Sequence, residues 1–340
     1  GVQVAYPEGN RLAVTYHGYG DVFPRDMQIL IDGRSIYQPS FSDIDWLFLG
    51  VTLEDIERIE VIRGPNSPFY GSNAVASVII IINRLPLQVR LSQARITAGD
   101  QNTRNAVVRH RDRLGELDYR MTLNYQTSSG FETNINSTND DREIAGLFLR
   151  GTWNPRPKDE VDIQLGLSDG NLGAGAEPTH DPPPHNKDVT SNYQFISWRR
   201  ALRENRDIHL QAYRNHYDSD DSYRDLLSHA FNQPPAVIAA LVGADQMADF
   251  GLFDYEGERY DLELEYTSSG NGPLSSVIGM GVRMNRLLSP VITNRSDWID
   301  ELSQRVFANL SYRANDHLIF NFGALAENSD EFGAHVSPRL

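Results

Sequence analysis

Four short motifs near the N-terminus decide the fold of this chain: MQILIDGRS (27–35), LEDIERIEVIRGP (53–65), FYGSNA (69–74) and VIIII (78–82). Their apolar runs are short, rich in β-branched residues and bounded by Gly or Pro, which is typical of buried strands. Asp32-Gly33 predicts a turn at a strand end because glycine accepts a positive φ angle. Pro65 ends the second strand because proline cannot continue a hydrogen-bonded ladder.

The remainder of residues 1–86 connects these strands. Residues 39–49 show no hydrophobic period and are predicted to form an irregular loop. Thr52 and Asp55 match a helix-capping pattern, so residues 52–56 are predicted to form one short helical turn. Residues 1–86 are therefore interpreted as a small mixed α/β domain.

From about Leu91 onward, apolar and polar residues alternate, as at residues 117–125. Because side chains alternate across a strand, each such segment has one apolar and one polar face. About eleven segments of roughly 9–13 residues show this pattern, the length of a tilted membrane-spanning strand. They lie near 91–99, 104–112, 116–126, 142–153, 160–168, 190–202, 207–218, 257–267, 274–288, 301–313 and 317–326.

The connections between these segments alternate in length. Short connections such as 113–115 are followed by long ones such as 127–141 and 219–256. Short turns therefore collect at one rim and long loops at the other, which is the arrangement of an outer-membrane β-barrel. An odd number of antiparallel strands does not close a bacterial barrel, so the chain is interpreted as truncated, with residues 332–340 beginning a twelfth strand.

The composition excludes several classes of protein. The 340 residues have a formal net charge of −15, and the mean hydropathy is −0.45. Apolar runs are far shorter than the roughly 18 residues that a membrane helix needs. A pI near 5.0 argues against nucleic-acid binding, which favours a basic surface. The chain has no cysteine, which excludes disulfides and thiolate metal sites.

A soluble all-β protein with one solvated face is the alternative interpretation of the alternating segments. Aromatic residues near the segment ends favour the barrel, because barrels carry aromatic girdles at the membrane interfaces. These residues are Tyr125, Trp153, Tyr193, Trp198, Tyr217, Tyr266 and Tyr312.

The four N-terminal motifs, taken in order over Asn10–Asn83, resemble the plug domain of TonB-dependent outer-membrane receptors. The resemblance implies a mainly β protein, with a small α/β plug followed by antiparallel strands that make about half of a barrel of about 22 strands. Residues 1–86 would be the plug, N-terminally incomplete, and residues 87–340 the N-terminal part of the barrel, C-terminally truncated. The plug motif residues are Asp32, Gly33, Arg34, Arg63, Gly64, Pro65, Tyr70, Gly71 and Asn73.

The chain also departs from the family pattern. The family usually has an arginine before a glycine where this chain has His17-Gly18, and no TonB box is present. Arg63 is therefore predicted to lock the plug to the barrel, because a desolvated arginine needs a carboxylate partner. The alternative is a surface arginine in a solvated ion pair, which contributes little to stability. The candidate partners within this chain are Asp118, Asp162, Glu263 and Glu265.

Ligand contacts are expected from the plug and the long loops. The candidate residues are Tyr37, Phe69, Tyr217, Tyr223, Asp220 and Asp221. Residues 234–250 have the spacing of an amphipathic helix, interpreted either as packing over the barrel mouth or as a lid that contacts ligand. His180 and His185 flank a proline run without metal-site spacing, so neither a metal site nor a cofactor is predicted.

The resemblance implies a transporter rather than an enzyme, located in the outer membrane of a Gram-negative-type cell. Its expected partners are TonB as the energy-coupling protein, outer-membrane lipid, and a small-molecule ligand, with no nucleic acid. An iron–siderophore complex is the favoured ligand. The alternatives are a transporter of cobalamin or another substrate, and a plugged-barrel signal transducer.

Overall fold

The computed structural model describes residues 1–16, 27–40, 44–64, 74, 76–132, 138–176, 182–251, 253–269, 272–331 and 333–339. It is mainly β, as the sequence predicts. One small sheet and one hairpin lie within residues 1–83, and a large antiparallel sheet follows. Within the described residues, no helix is long and apolar enough to cross a membrane.

The described part of the N-terminal region contains six strands: β1 (Val2–Glu8), β2 (Arg11–Tyr16), β3 (Met27–Ile31), β4 (Arg34–Ser35), β5 (Ile56–Arg63) and β6 (Ser77–Asn83). β1 and β2 form a hairpin, and the other strands form a sheet in the order β4-β3-β6-β5. The predicted strands at 27–31, 59–62 and 78–82 are confirmed. Met27, Ile29 and Ile81 are buried in one apolar core with residues of β2, because β3 and β6 are covered on both faces.

The predicted turn at Asp32-Gly33 joins β3 to β4 as a two-residue loop, since Ile31 pairs with Arg34. Both turn residues have positive φ angles, 51° at Asp32 and 94° at Gly33. This is the backbone geometry that a tight antiparallel hairpin requires, and Asp-Gly is a preferred sequence for it.

The predicted helical turn at 52–56 is a single tight turn. The amide of Asp55 donates to the carbonyl of Thr52 at 3.0 Å, and the amide of Ile56 donates to that of Leu53 at 3.3 Å. The chain then enters β5 directly at Ile56, so no helix propagates. Apart from a 3₁₀ turn at Pro86–Gln88, the regular elements described in residues 1–86 are strands.

Among the residues that the structure describes, the second part of the chain forms a sheet of 12 antiparallel strands, so the predicted segments and the twelfth strand are confirmed. Its strands follow one another around the sheet in chain order. They are β7 (Ser92–Ala98), β8 (Arg104–Leu114), β9 (Leu117–Ser128), β10 (Arg142–Arg156), β11 (Asp159–Ala174), β12 (His185–Arg203), β13 (Arg206–Asp220), β16 (Tyr255–Ser268), β17 (Leu274–Leu288), β18 (Ile299–Asn315), β19 (Leu318–Ser329) and β20 (Gly333–Arg339).

Alternation along these strands separates an outer apolar face from an inner polar face. On β11, Ile163 and Leu165 are 39% and 43% exposed, whereas Asp162 and Gln164 are buried. The apolar residues therefore face outward and the polar residues face the small sheet. Two of the predicted girdle residues do not belong to the outer face, because Tyr193 and Tyr217 are buried on the inner one.

The longest connection, between β13 and β16, has its own structure. It contains the hairpin β14 (Ser222–Leu226) and β15 (Met247–Gly251), with α1 (Leu227–Ala230) and α2 (Pro235–Val242) between them. A third short helix, α3 (Pro290–Thr293), follows β17. The prediction of one helix over 234–250 is wrong in its second half. The helix ends at Gly243, which has a φ angle of 92°, and residues 247–251 pair as a strand.

Candidate ligand-binding site

Asp32 joins the small sheet to the inner face of the large one. Its carboxylate accepts hydrogen bonds from the amide of Asn83 at 2.9 Å and from Gln164 on β11 at 3.2 Å. Arg150 on β10 lies 3.3 Å from Asp32 and 2.6 Å from Asp162, so one arginine bridges two carboxylates. All these side chains are mostly buried. Removing any one of them would therefore leave another buried polar group without its partner.

Asp55 forms a second buried contact between the two sheets. Its carboxylate lies 3.3 Å from Arg109 on β8 and 3.3 Å from Arg120 on β9. It also accepts hydrogen bonds from Thr122 at 3.2 Å and from Thr52 at 3.0 Å. Asp55 is 0% exposed, so its charge is stabilised by these partners rather than by water.

Arg34 makes the third contact, directly after the Asp32-Gly33 turn. Its guanidinium donates to Asn215 on β13 at 2.9 Å and to the carbonyl of Leu49 at 3.2 Å. The same group lies 3.8 Å from the centre of the Tyr193 ring, a cation–π contact. Burial lowers the pKa of Arg34 from its ordinary value. Gly33 lies against Gln211, where a Cβ atom would come within 2.8 Å of the amide oxygen.

The prediction that Arg63 locks the two parts together finds no support in the described residues. Arg63 is exposed at the end of β5, and no described carboxylate is paired with it. Asp162 is at the interface, but its partner is Arg150. The other predicted partners bind barrel residues: Asp118 lies near Arg113, Glu263 pairs with Arg305, and Glu265 accepts from Thr267.

The charges at the interface are thus mostly arranged in the opposite way to the prediction, which placed the arginine on the small sheet and the carboxylates on the large one. The carboxylates belong to residues 32 and 55, and most of the arginines belong to the large sheet. The quoted motifs already contained both aspartates, but they were interpreted only as turn and capping residues. Of the other predicted motif residues, Gly64 ends β5 with a φ angle of 83°, while Pro65, Tyr70, Gly71 and Asn73 lie outside the described residues, as do His17 and Phe69.

A cavity of about 300 Å³ lies at the rim where the long connections meet. The β1–β2 hairpin and residues 44–47 line one side of it, and the ends of β11, β12, β13 and β16 line the other. The hairpin is held in place by Asn10, which donates to the carbonyl of Gly173 at 2.7 Å. Gly9 donates to Asp140 at 2.7 Å. Both parts of the molecule therefore contribute to one cavity.

Aromatic rings and an acidic residue connect the two sides of the cavity. The hydroxyl of Tyr217 donates to Asp45 at 2.8 Å, and the Tyr217 ring stacks on Tyr255 at 5.5 Å. Phe48 meets the same ring edge-on at 6.3 Å. Trp46 also lines the cavity, and its buried indole N–H has no hydrogen-bond partner among the described residues.

Some of the residues predicted to contact ligand line the cavity in the structure, and others do not. Tyr217 and Asp221 line the cavity, and Tyr223 lies behind it, stacked on Phe250 at 5.6 Å. Asp220 belongs to the end of β13 and caps the amide of Ser222 at 3.1 Å. Tyr37 is 1% exposed in the apolar core of the small sheet, so its ring does not line the cavity.

Sequence reasoning missed Trp46 and the position of His185, which lines the cavity beside Lys187. His185 was considered only as a metal ligand. Within the described residues, no cluster of His, Asp and Glu has the arrangement of a metal site. Carboxylates cluster beside the cavity, and burial together with the charges of residues 220, 218 and 221 raises the pKa of Asp254.

Comparison with known proteins identifies the family. Residues 1–78 match the TonB-dependent Receptor Plug Domain family. The chain belongs to the TonB-dependent receptors. The chain is 32% identical over 310 residues to the iron-regulated outer membrane virulence protein of Vibrio cholerae, covering 85% of this chain and 41% of the relative. It is 28% identical over 233 residues to the ferric enterobactin receptor PirA of Pseudomonas aeruginosa, covering 58% of this chain and 30% of that receptor.

Solved structures of TonB-dependent receptors share the fold. The ferric enterobactin receptor PfeA of Pseudomonas aeruginosa superposes with a TM-score of 0.70 at 14% identity, over 99% of this chain and 55% of that one. The siderophore receptor PirA of Acinetobacter baumannii gives a TM-score of 0.69 at 15% identity, over 99% of this chain and 54% of that one. The chain thus spans about half the length of the receptors it matches. The plug is the small N-terminal sheet, and the large sheet is the first part of the barrel.

Proposed function

We propose that this chain is the plug and first barrel half of an outer-membrane receptor that takes up an iron–siderophore complex. The proposal rests on the family and on relatives whose names report iron regulation or binding of ferric siderophores. Its ligand would enter from the rim that carries the long connections. Uptake of this kind makes and breaks no covalent bond, so the expected role is transport and not catalysis.

The observation that carries the proposal is the shared cavity. Plug residues 44–47 and the barrel ends face the same space, so a bound molecule would contact both parts at once. Aromatic rings on the cavity walls provide apolar contact area. Arg11 and Lys187 lie on the same walls as the carboxylates of residues 8, 45 and 221, so the cavity presents charges of both signs to a bound chelate.

The plug is held to the barrel by clusters of buried charge, which is consistent with a gated rather than an open channel. For the plug to move, the ion pairs of Asp32 and Asp55 must break or move together with it. Because such buried pairs are costly to separate, an external energy source is needed. TonB is the proposed source, through the family to which the chain belongs.

Binding to the purified full-length receptor tests the proposal. Ferric enterobactin, ferrioxamine and cobalamin are titrated in detergent while tryptophan fluorescence is followed. We expect one ferric chelate to bind, and Trp46→Ala to weaken its binding about tenfold through loss of an aromatic contact. Trp153→Ala, on the outer face of β10, is the matched control and should leave the affinity unchanged.

Uptake in cells tests transport separately from binding. A strain lacking the receptor is complemented with the full gene, in cells with and without TonB, and uptake of radiolabelled ferric chelate is measured. TonB-dependent uptake is the expected result. Binding of cobalamin alone would replace the siderophore assignment, and uptake that is unaffected by loss of TonB would contradict the proposed energy source.

A further inference from the structure

The plug contacts two parts of the barrel wall by different kinds of interaction. On β7 to β10 it forms ion pairs, including the buried ones of Asp32 and Asp55. On β13 and β16 it forms hydrogen bonds: the side chain of Asn215 donates to the carbonyl of Ser35 at 2.7 Å, and Arg259 donates to the hydroxyl of Ser35 at 3.2 Å. Among the residues that the structure describes, the ion pairs between plug and barrel all end on β7 to β10.

We infer that the plug separates first from the inner face of β12, β13, β16, β17 and β18, which we call the separation face. Asp32 and Asp55 keep the plug attached to β8, β9 and β10, and the passage for ligand opens along the separation face. The place of separation follows from the contacts alone, whereas the passage of ligand rests on the proposed function.

The two kinds of contact differ in how well water can replace them. A hydrogen bond with one uncharged member can be exchanged for hydrogen bonds to water, so breaking it costs little. Separating a buried ion pair leaves a charge without its partner, which costs considerably more. Arg34 contacts β13 and Gly50 contacts β12 by exchangeable hydrogen bonds. Both lie between Asp32 and Asp55 in the chain, so they can leave the wall while both ion-paired residues stay in place.

Strands β16, β17 and β18 satisfy their own inward charges. Asp261 lies 2.7 Å from Arg283 and 2.8 Å from Arg305, and Arg305 also lies 2.7 Å from Glu263. Arg305 reaches these carboxylates across Gly281, where a Cβ atom would come within 3.0 Å of the guanidinium. Because these ion pairs lie within the wall, departure of the plug leaves none of the four charges without its partner.

Arg259 lies on the same face of β16 as Asp261 and joins that face to the plug through Ser35. It also donates to the side chain of Asn285 at 2.8 Å, which in turn donates to Glu301 at 2.9 Å. Arg259 therefore keeps a hydrogen-bond partner when Ser35 moves away. A polar wall that is satisfied internally offers exchangeable contacts to a passing chelate rather than one strong site that would retain it.

The separation face continues inward from the ligand cavity. Tyr217 on β13 and Tyr255 on β16 line the cavity. Asn215 lies two residues inward of Tyr217, Arg259 lies four residues inward of Tyr255, and the two are paired across the strands. Ser35 sits on this pair. A molecule that leaves the cavity along these strands therefore meets the Ser35 contact first.

Thiol labelling of the ligand-free full-length receptor tests the place of separation. Ser35→Cys reports on the separation face, and Thr122→Cys on β9 reports on the ion-paired side, where Thr122 donates to Asp55. The two residues are 2% and 0% exposed, and each substitution removes one hydrogen bond of a buried hydroxyl, so the variants are matched. These 340 residues contain no cysteine, and any cysteine elsewhere in the receptor is replaced by serine.

The purified variants are incubated with a water-soluble maleimide in increasing urea, and the labelling rate of each cysteine is measured. We expect Ser35→Cys to label about tenfold faster than Thr122→Cys at intermediate urea, because local opening exposes it at a lower free-energy cost. Heat-modifiable electrophoretic migration shows whether the barrel is intact. Equal rates, the reverse order, or no labelling of Ser35→Cys before the barrel unfolds would overturn the inference.

Reducible cross-links test whether ligand passes along the separation face. A flexible bifunctional thiol reagent joins Ser35→Cys to Asn215→Cys, which ties the plug to β13. The matched control joins Glu54→Cys to Arg95→Cys, which ties the plug to β7 where these residues form an ion pair. The probe is radiolabelled ferric enterobactin or ferrioxamine, whichever the binding titration identifies.

We expect the cross-link on β13 to abolish uptake while binding is retained, and reduction of the link to restore uptake. The cross-link on β7 should leave uptake unchanged. Uptake that persists with the plug tied to β13 would overturn the passage along this face. Absence of uptake in the unsubstituted receptor would instead contradict the proposed function and leave the labelling result standing.

Discussion

The interface between plug and barrel and the outer cavity join the same two parts of the molecule by different means. At the interface, Asp32 and Asp55 are buried against arginines of the barrel wall. At the cavity, Tyr217 donates to Asp45 and aromatic rings stack around them. Removing one partner of a buried ion pair lowers the free energy of unfolding by several kcal/mol, while removing a single hydrogen bond lowers it by less. The interface is therefore suited to holding the plug, whereas weaker contacts join the two parts at the cavity.

The strongest test of this difference is Asp55→Asn. The substitution leaves Arg109 and Arg120 buried without their carboxylate, and we expect the free energy of unfolding to fall by about 3–5 kcal/mol. Denaturant unfolding of the full-length receptor measures the loss, and bilayer conductance should rise as the plug loosens. Glu57→Gln, an exposed carboxylate near the start of β5, is the control and should behave like the unsubstituted receptor. Equal stability of the two variants would show that the Asp55 cluster does not hold the plug.

The corresponding test at the cavity is Tyr217→Phe. This change removes one hydrogen bond to Asp45 but keeps the stacked ring, and Asp45 still accepts the amide hydrogen of Leu47 at 3.1 Å. We expect a loss of about 1–2 kcal/mol in the free energy of unfolding and no change in conductance. A loss as large as that of Asp55→Asn would remove the distinction between the two regions.

The smallest expected effect comes from Asp254, at the acidic edge of the cavity. Its pKa is raised by burial and by neighbouring carboxylates, so in the folded state its ionised form is disfavoured. The associated stability is present at low pH and is lost as the pH rises through the raised pKa. Asp254→Asn should therefore stabilise the receptor slightly at pH 7 and have no effect near pH 3. The gain is small because much of the group reaches solvent. Thermal melting at the two pH values measures it, and destabilisation at pH 7 would contradict the assignment.

Much of the fold was predictable because its signals are local. Alternation along β9 and β11 depends only on which neighbouring residues are apolar, and it identified the membrane-spanning strands and their two faces. The turn at Asp32-Gly33 was predictable for the same reason, since positive φ angles restrict the residue types. The helix predicted over 234–250 ended early because Gly243 terminates it and pairing with β14 stabilises a strand beyond.

The candidate site was less predictable, because its partners are far apart in the chain. Asp55 meets Arg109, 54 residues later, and Asp32 meets Arg150, 118 residues later. Alternation shows that such arginines face inward but not which plug residue lies opposite. Arg63 was a reasonable candidate by charge alone, and only the docking of the two sheets shows that Asp32 and Asp55 meet the arginines.

By itself, the sequence determined the class of this protein: a plug followed by outward-apolar strands, because strand period, turn chemistry and the motif order are all properties of neighbouring residues. The tertiary structure alone decided which charges meet across the plug–barrel interface, and that Tyr217, Trp46 and His185 surround one cavity. The reason is physical. Hydrogen bonds and ion pairs act over a few ångströms, and the residues within that range are set by sheet register and domain docking, which a sequence pattern does not specify.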